Sequence, residues 1–198
     1  MQTTVAKNAA LDGILFADAS LHTAYSSSGA NEVTGGSPAY ARKVYTFAAA
    51  SSGSRAASVT PTFDVPAGTT VAFVGLWGQG SPSQFLGMHA LGGSEKEYWV
   101  QTLGSPDGVI GCVSHGYSNG NRVAFYGGTP PTGLTEGTLY YVINASTDFF
   151  GVSLTEGGAG IPITGYGDSE CKVSKVVPEV FGSQGTLQLS SGSIAQSA

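Results

Sequence analysis

Short apolar stretches separated by turn-forming residues dominate the hydrophobic pattern of this chain. Only the stretch from Thr4 to Gly13 has apolar residues at helical spacing, and Asp12-Gly13 marks its end. The later apolar stretches are rich in β-branched and aromatic residues, which favour strands. The pattern therefore predicts an all-β, antiparallel protein with one short N-terminal helix.

The first and last parts of the chain share strand-like stretches bounded by Gly, Pro or Ser. These stretches are 14–23, 41–49, 57–65, 70–77, 84–91 and 185–189. Pro61 within the third stretch indicates an edge or a bulge. Residues 70–77 (TVAFVGLW) are almost wholly apolar, which predicts a buried central strand.

The segment 95–177 has a different character, with closely spaced turns and both cysteines. Its predicted strands are 122–126, 139–143, 149–154, 161–164 and 171–177. Short, regular strands of this kind are typical of a small sandwich or barrel. We therefore predict two domains. The main one is a jelly-roll-like antiparallel β-sandwich built from 1–94 plus 178–198, and 95–177 is an inserted small β-sandwich or barrel.

The charge and the hydropathy of the chain argue against nucleic-acid-binding and membrane-inserted proteins. Only 11% of residues are charged and the net charge is −5, with the basic residues scattered. That distribution lacks the basic footprint of a nucleic-acid-binding protein. The N-terminus has no apolar signal core and no apolar run is long enough to span a membrane, so we expect no membrane insertion and synthesis in the cytoplasm. The segment 95–177 holds four basic and eight acidic residues, a net −4.

The sequence contains no convincing catalytic pattern, so we predict that the protein is not an enzyme. His22, His89 and His115 lack metal-ligand spacing, and His22 and His89 are expected to be satisfied residues of strands. Residues 169–172 (SECK) match the S-x-x-K pattern, but a strand would send the serine and the lysine to opposite faces. We therefore expect no catalytic residues, no metal site and no cofactor.

Cys112 and Cys171 allow two interpretations. They can be small buried apolar residues, as free cysteines usually are. They can also form a disulfide, since both fall near the ends of the predicted insert, but this would need an oxidising environment. Spacing alone leaves both open.

Aromatic residues are enriched in the insert and offer a binding hypothesis. Tyr and Trp suit sugar or protein contacts, because each has a flat apolar face and a polar edge. In Tyr140-Tyr141 and Phe149-Phe150, neighbours on a strand point to opposite faces, so one of each pair can be exposed while the other joins the core. The candidate binding surface comprises Tyr98, Trp99, Tyr117, Tyr126, Tyr141, Phe150 and Tyr166.

Several stretches outside the insert carry a family resemblance. They are SLHTA at 20–24, GANEVTGGS at 29–37, YAR at 40–42, TFAAA at 46–50, PAGT at 66–69, GLW at 75–77, FLG at 85–87 and the closing stretch 181–194. Together they resemble a family of small tailed-phage virion proteins, usually labelled tail fibre or minor tail proteins. In that family the FLG strand runs quickly into the closing strand, whereas this chain holds 95–177 between them, which supports an insertion.

The insert is itself similar to a β module found on many phage virion proteins, through residues such as 115–116, 119–123, 133–134, 137–142 and 157–158. The resemblance implies a structural protein made in a bacterial host and assembled into the virion, as a tail component or a capsid decoration protein. Its implied partners are other virion proteins and its own copies; we expect a homotrimer or a higher symmetric assembly, because closed symmetry shields strand edges.

Two other functions stay open. The insert can be a receptor- or carbohydrate-binding adhesin module, with a host surface glycan as partner. A more remote hypothesis is a depolymerase, which predicts a cleft with paired carboxylates.

Overall fold

The computed structural model describes residues 2–80, 82–104 and 108–195. Over these residues the chain forms one helix, α1 (Thr4–Asp12), and many short strands. In chain order the strands are β1 (Phe16–His22), β2 (Lys43–Val44), β3 (Ser54–Ala56), β4 (Thr62–Val65), β5 (Thr69–Val71), β6 (Phe73–Gly78), β7 (Phe85–Ala90), β8 (Glu95–Lys96), β9 (Trp99–Thr102), β10 (Val109–Gly111), β11 (Arg122–Tyr126), β12 (Tyr140–Ile143), β13 (Phe149–Ser153), β14 (Lys172–Val176), β15 (Glu179–Phe181), β16 (Gly185–Gln188) and β17 (Ser193–Ala195). The predicted all-β antiparallel fold with a short N-terminal helix is confirmed.

The chain divides into two compact units. Unit 1 comprises Met1–Thr23, Ser28–Met88 and Val180–Ala198, and unit 2 comprises Ala24–Ser27 and His89–Glu179. Unit 2 thus starts a few residues before the predicted boundary at 95. It also takes in 24–27, which sequence analysis left in the main domain.

One layer of unit 1 is a four-stranded antiparallel sheet in the order β2-β1-β6-β7. The apolar strand predicted at 70–77 divides into β5 and β6, and β6 lies in the middle of this sheet as expected for a central strand. Leu21 and Phe73 are fully buried on these strands. Leu21 lies opposite Val74 and Phe73 lies opposite His22, so the two side chains project from opposite faces, and both faces of the sheet are covered.

The other layer of unit 1 is a long ribbon made by the C-terminal segment. There β15 pairs with β5, β16 with β4 and β17 with β3, so residues 179–195 run beside 54–71 in the opposite direction. On β4 the side chains alternate, with Phe63 and Val65 fully buried and Thr62 exposed. The ribbon therefore has one apolar face, as the layer of a sandwich requires.

Helix α1 is capped at its first turn and is fixed to β3 of the ribbon at its last turn. The Thr3 hydroxyl caps its first turn by accepting from the Ala6 N–H at 3.3 Å. At its other end the Arg55 guanidinium of β3 donates to the Leu11 carbonyl at 2.8 Å, and a cation at this end also suits the helix dipole.

Unit 2 is a single sheet that closes on itself. Its strand order is β8-β14-β11-β12-β13-β10-β9, all antiparallel. The two outermost strands, β8 and β9, are successive parts of one stretch, 95–102. That stretch pairs with β14 through its first residues and with β10 through its last, so the sheet forms a closed barrel, one of the two forms predicted for the insert.

The connectivity of the barrel contains a Greek key. Strands β11, β12 and β13 follow one another as neighbours, and β14 returns to pair with β11. The interior is one apolar cluster that includes Ile110, Val123, Phe125, Phe150 and Val173, all fully buried. Every strand except the short β8 contributes to this cluster, which explains why the small barrel can hold a core of its own.

The two ends of unit 2 meet. The Val177 N–H donates to the Leu91 carbonyl at 2.9 Å, and an added Cβ at Gly92 would touch Val177. A segment whose ends are adjacent can be inserted between two strands without separating them. This geometry supports the predicted insertion.

Several strand predictions need correction. Residues 161–164 form no strand: Pro162 has no N–H to donate, and the chain there makes only scattered bonds, such as Thr164 N–H to Thr132 O at 3.0 Å. The predicted strand 41–49 forms a ladder only at β2, where two residues pair with β1, and then makes a single bridge from Phe47 to Ala57. Sequence analysis missed β8, β9 and β10, which are too short to show alternation.

Cys112 and Cys171 are both unpaired and buried, and both belong to the barrel core. Burial raises the pKa of each thiol. The structure thus favours the first of the two interpretations over the disulfide.

We predict that both thiols are unreactive in the folded chain. A disulfide-exchange reagent such as Ellman's should modify them slowly in buffer and quickly in urea, because a buried, protonated thiol is a poor nucleophile. Val113→Cys supplies a matched control, since Val113 is well exposed and its replacement should react at once. Failure of the unreduced chain to react even in urea would establish the disulfide instead.

Candidate functional site

The seven aromatic residues of the predicted binding surface do not form one surface. Tyr117, Tyr126 and Phe150 are buried, so their prediction as surface residues is wrong. Tyr98 and Tyr141 are half-buried. Trp99 and Tyr166 are exposed, to 39% and 69%.

The three buried residues are inside for identifiable reasons. Tyr117 and Phe150 pack edge to face, with ring centroids 5.4 Å apart, in the barrel core. His115 contacts both rings, and its Nδ1 accepts from the Tyr117 N–H at 2.8 Å, so this histidine orders the chain before β11. Tyr126 ends β11, and its hydroxyl accepts from the Ala90 N–H at 3.1 Å.

The two half-buried tyrosines have structural partners. Tyr98 packs edge to face against Phe125 of the core, with centroids 5.2 Å apart. The Tyr141 hydroxyl accepts from the Arg122 guanidinium at 2.8 Å, across the register pair that joins β11 and β12. These contacts cover part of each ring, so less of its surface is open to a ligand.

Trp99 is an exposed aromatic residue whose neighbours on the outer face of the barrel hold it in place. Across β9, β10 and β13 the register places Trp99, Gly111 and Phe149 in one row on the outer face. A Cβ at Gly111 would overlap the indole Cε2 and Cζ2, so the indole lies directly against the backbone of Gly111. Phe149, exposed to 37%, stands nearly perpendicular to it, with centroids 5.9 Å apart.

The partners of Trp99 were not among the predicted surface residues. One residue of Phe149-Phe150 does face outwards as expected, but it is Phe149 and not the predicted Phe150. The choice depends on the pairing of β13 with β10: Phe150 lies opposite the buried Ile110, and Phe149 opposite Gly111. Gln101 lies two residues after Trp99, on the same face of β9, and its Oε1 accepts from the indole N–H at 2.9 Å.

The histidines form no metal site. His22 is fully buried and fully hydrogen-bonded, as predicted for a satisfied residue of a strand. His89 is exposed and pairs with Glu95 at 2.7 Å. Among the residues that the structure describes, no group of three His, Cys, Asp or Glu side chains could hold a metal ion.

In unit 1 the residues that carry the family resemblance meet in one buried polar chain. The Trp77 indole N–H donates to Ser20 Oγ at 2.7 Å, and Ser20 Oγ lies 2.6 Å from His22 Nε2. His22 Nδ1 lies 2.8 Å from the Ala30 carbonyl, which can only accept, so His22 donates there and accepts from Ser20. Gly75 lies above this chain, and a Cβ there would come within 2.6 Å of both Ser20 Oγ and His22 Nε2.

The Ser20–His22 pair has the spacing of a nucleophile and its general base. Both side chains, however, are fully buried, and the serine oxygen already accepts from Trp77. No substrate could reach that oxygen in the folded unit. The pair is therefore a structural hydrogen bond in a low-dielectric core, where an unpaired polar group would be costly.

A second set of motif residues covers Trp77 from outside. Arg42 stacks on the indole with its guanidinium carbon 3.4 Å from the ring centroid, and it binds Glu32 at 2.8 Å. The Tyr40 hydroxyl accepts from the Leu21 N–H at 2.8 Å and donates to Glu32 at 3.3 Å. Burial raises the pKa of Tyr40, so the hydroxyl keeps the proton that it donates.

The closing stretch of the chain contacts an earlier resemblance stretch. Gln184 Oε1 accepts from the Ser37 N–H at 3.2 Å, and its Nε2 donates to the Pro38 carbonyl at 3.1 Å. Gly36 leaves room for this contact, because a Cβ there would come within 3.0 Å of Gln184 Oε1. The resemblance residues from the start, middle and end of the chain thus contact one another in unit 1.

Two open depressions of about 490 Å³ each lie among the described residues of unit 2. The first contains the carboxylates of Glu136 and Asp168, but both are engaged by backbone. Asp168 accepts from the N–H groups of Thr129 and Cys171 at 2.7 and 2.8 Å, and these bonds lower its pKa. Glu136 accepts from the Gly127 N–H at 3.1 Å. These bonds give both carboxylates a role in holding turns, which weakens the depolymerase hypothesis for this depression.

Comparison with known proteins gives no relative: no family model, curated protein or solved structure matches this chain. A separate search of the described residues finds no helix with the length and apolar character needed to cross a membrane.

We predict that Gly75→Ala destabilises unit 1 by about 1–3 kcal/mol, because the new methyl group must displace Ser20 or His22 from a packed core. Urea unfolding followed by Trp77 fluorescence, in a Trp99→Phe background, measures the effect. Gly182→Ala is the matched control, since its Cβ would meet nothing and should change stability by less than about 0.5 kcal/mol. Equal stability of the two variants would contradict the close packing at Gly75.

We also predict that unit 1 loses stability as the pH falls below about 6.5. Burial lowers the pKa of His22 from its ordinary value of 6.5, against the opposing effects of the Ala30 carbonyl and Glu32. Between the folded pKa and 6.5 the unfolded chain binds more protons, so the free energy of unfolding falls by up to about 1.4 kcal/mol per pH unit. Urea midpoints at about pH 7.5 and 5.5 test this.

Two variants separate the effect of His22 from that of His89. His22→Gln should flatten the pH dependence, whereas His89→Gln, at an exposed position, should retain it. An NMR titration of the His22 ring in the wild-type chain gives the same information if His22→Gln does not fold. A His22 pKa at or above 6.5 would refute the prediction.

Proposed function

We propose that this chain is a non-enzymatic structural protein of a tailed-phage particle, either a tail fibre or minor tail component or a capsid decoration protein. Its partners would be other virion proteins and further copies of itself, assembled as a homotrimer. It would be made in the cytoplasm of the bacterial host and reside in the virion.

One observation carries the proposal. The stretches that resemble the phage family lie far apart in the sequence, yet their side chains contact one another: Ser20, His22 and Trp77 in the core, and Gln184 against 37–38. Residues that act together to hold a fold support the resemblance better than scattered matches would. Their shared role in packing also supports a protein whose purpose is mechanical rather than catalytic.

A second candidate function is attachment to a host surface glycan through unit 2. The organised, exposed indole of Trp99 on the outer face of the barrel favours it. The two functions are compatible, since an adhesin module can belong to a virion protein.

Particle composition tests the main proposal. Virions purified on a density gradient should contain peptides of this chain by mass spectrometry, at a constant ratio to the major capsid protein. Antibody-gold labelling in the electron microscope should then mark either the head or the tail. A host cytoplasmic protein spiked into the lysate before purification controls for adhering contaminants.

Detection of the chain in infected-cell lysate but not in purified virions would overturn the virion role. A measurable copy ratio would also test the trimer, because closed threefold assembly requires copy numbers that are multiples of three.

A further inference from the structure

We propose that Trp99, with Phe149 and Gln101 beside it, is a binding platform for one neutral pyranose ring of a glycan. This inference rests on the second candidate function, attachment by unit 2, and is independent of where the chain lies in the particle. It replaces the dispersed aromatic surface expected from the sequence with a single site on β9, β10 and β13.

The platform is fixed before any ligand arrives. The inner face of the indole lies against Gly111, its N–H is held by Gln101 at 2.9 Å, and Phe149 stands perpendicular beside it. With these sides occupied, the 39% of Trp99 that remains exposed is mainly the outward face. A side chain ordered in advance loses little rotamer entropy on binding, which favours even a small ligand.

The chemistry of the platform matches a sugar ring. The face of an indole carries partial negative charge, which attracts the weakly positive C–H groups on the apolar side of a pyranose. Gln101 uses its Oε1 to accept from the indole N–H, which leaves its NH₂ group to donate to a ring hydroxyl. Stacking and hydrogen bonding are thus available side by side.

Two other kinds of occupant fit less well. A protein partner would need several hundred Å² of contiguous apolar surface, whereas this row holds two aromatic rings, each less than half exposed. A quaternary ammonium group prefers several aromatic faces around it, but Phe149 is perpendicular to the indole and offers no second parallel face.

Charge narrows the class of glycan. The segment 95–177 carries a net −4, Lys172 is paired with Glu97 at 2.9 Å, and Lys96 donates to the Ser114 carbonyl at 3.5 Å. An acidic surface repels uronic and sialic acids, and at physiological salt the effect reaches about 8 Å. The structure therefore favours neutral hexoses and N-acetylhexosamines over acidic sugars.

The two tryptophans make the test direct. Trp77 is buried in unit 1 and Trp99 is exposed in unit 2, so the full chain should give two indole N–H signals in a ¹⁵N-correlated NMR spectrum. Titration with the methyl glycosides of glucose, galactose, mannose and N-acetylglucosamine should shift the Trp99 signal for at least one sugar and leave the Trp77 signal unmoved. Methyl glucuronide and choline serve as the anionic and cationic probes.

Variants identify the site. Trp99→Ala should weaken binding of the selected sugar at least about tenfold, Trp99→Phe by less, and Gln101→Ala should also weaken it. Backbone signals of each variant show whether unit 2 is folded. Tyr166→Ala is the matched control, because Tyr166 is the more exposed ring at 69% and has no role in the platform.

Every outcome decides the question. No shift of the Trp99 signal with any neutral glycoside, a larger shift with choline or glucuronide, or loss of binding in Tyr166→Ala but not in Trp99→Ala would each overturn the inference. These results leave the particle-composition experiment untouched. A chain found on virions that binds no sugar refutes the glycan site alone, and a sugar-binding chain absent from virions refutes the virion role alone.

Discussion

The pairing of residues 179–195 with 54–71 is the constraint on which unit 1 depends. Without it, three short strands of the second layer would have no partner, and a two-stranded contact is marginal even when complete. The partners are far apart in sequence, with residues 72–178 between them. Closing so long a loop costs chain entropy, but a folded barrel whose ends are joined at Leu91 and Val177 acts as a much shorter connection.

The buried chain of Trp77, Ser20 and His22 adds specificity to this layered arrangement. An apolar core tolerates many packings, whereas a polar chain is stable only when every donor and acceptor finds its intended partner. Gly75 and Arg42 enclose the chain from two sides. A serine close to a histidine suggests a catalytic pair, but here Ser20 and His22 fix the geometry of the core.

The sequence predicted the general fold and several strands well, because alternation and turn residues are local signals. The structure gives β11 the predicted bounds, 122–126, and β12 and β13 differ from prediction by one residue at an end. The outward position of Phe149 could not be predicted, because it depends on which residue of β10 lies opposite, a long-range register. For the same reason Trp99 could be named as a candidate, but its platform could not: Gly111 becomes informative only when it is known to lie beneath the indole.

The hydrogen bond between Leu91 and Val177 has a consequence for how such a protein can change over time. Because the two ends of unit 2 meet at this hydrogen bond, another compact domain can take the place of unit 2, provided that the ends of the replacement also meet. The residues that hold unit 1 together would be unaffected by the exchange. Related proteins can therefore differ in the surface of the exchanged domain while the fold of unit 1 is preserved.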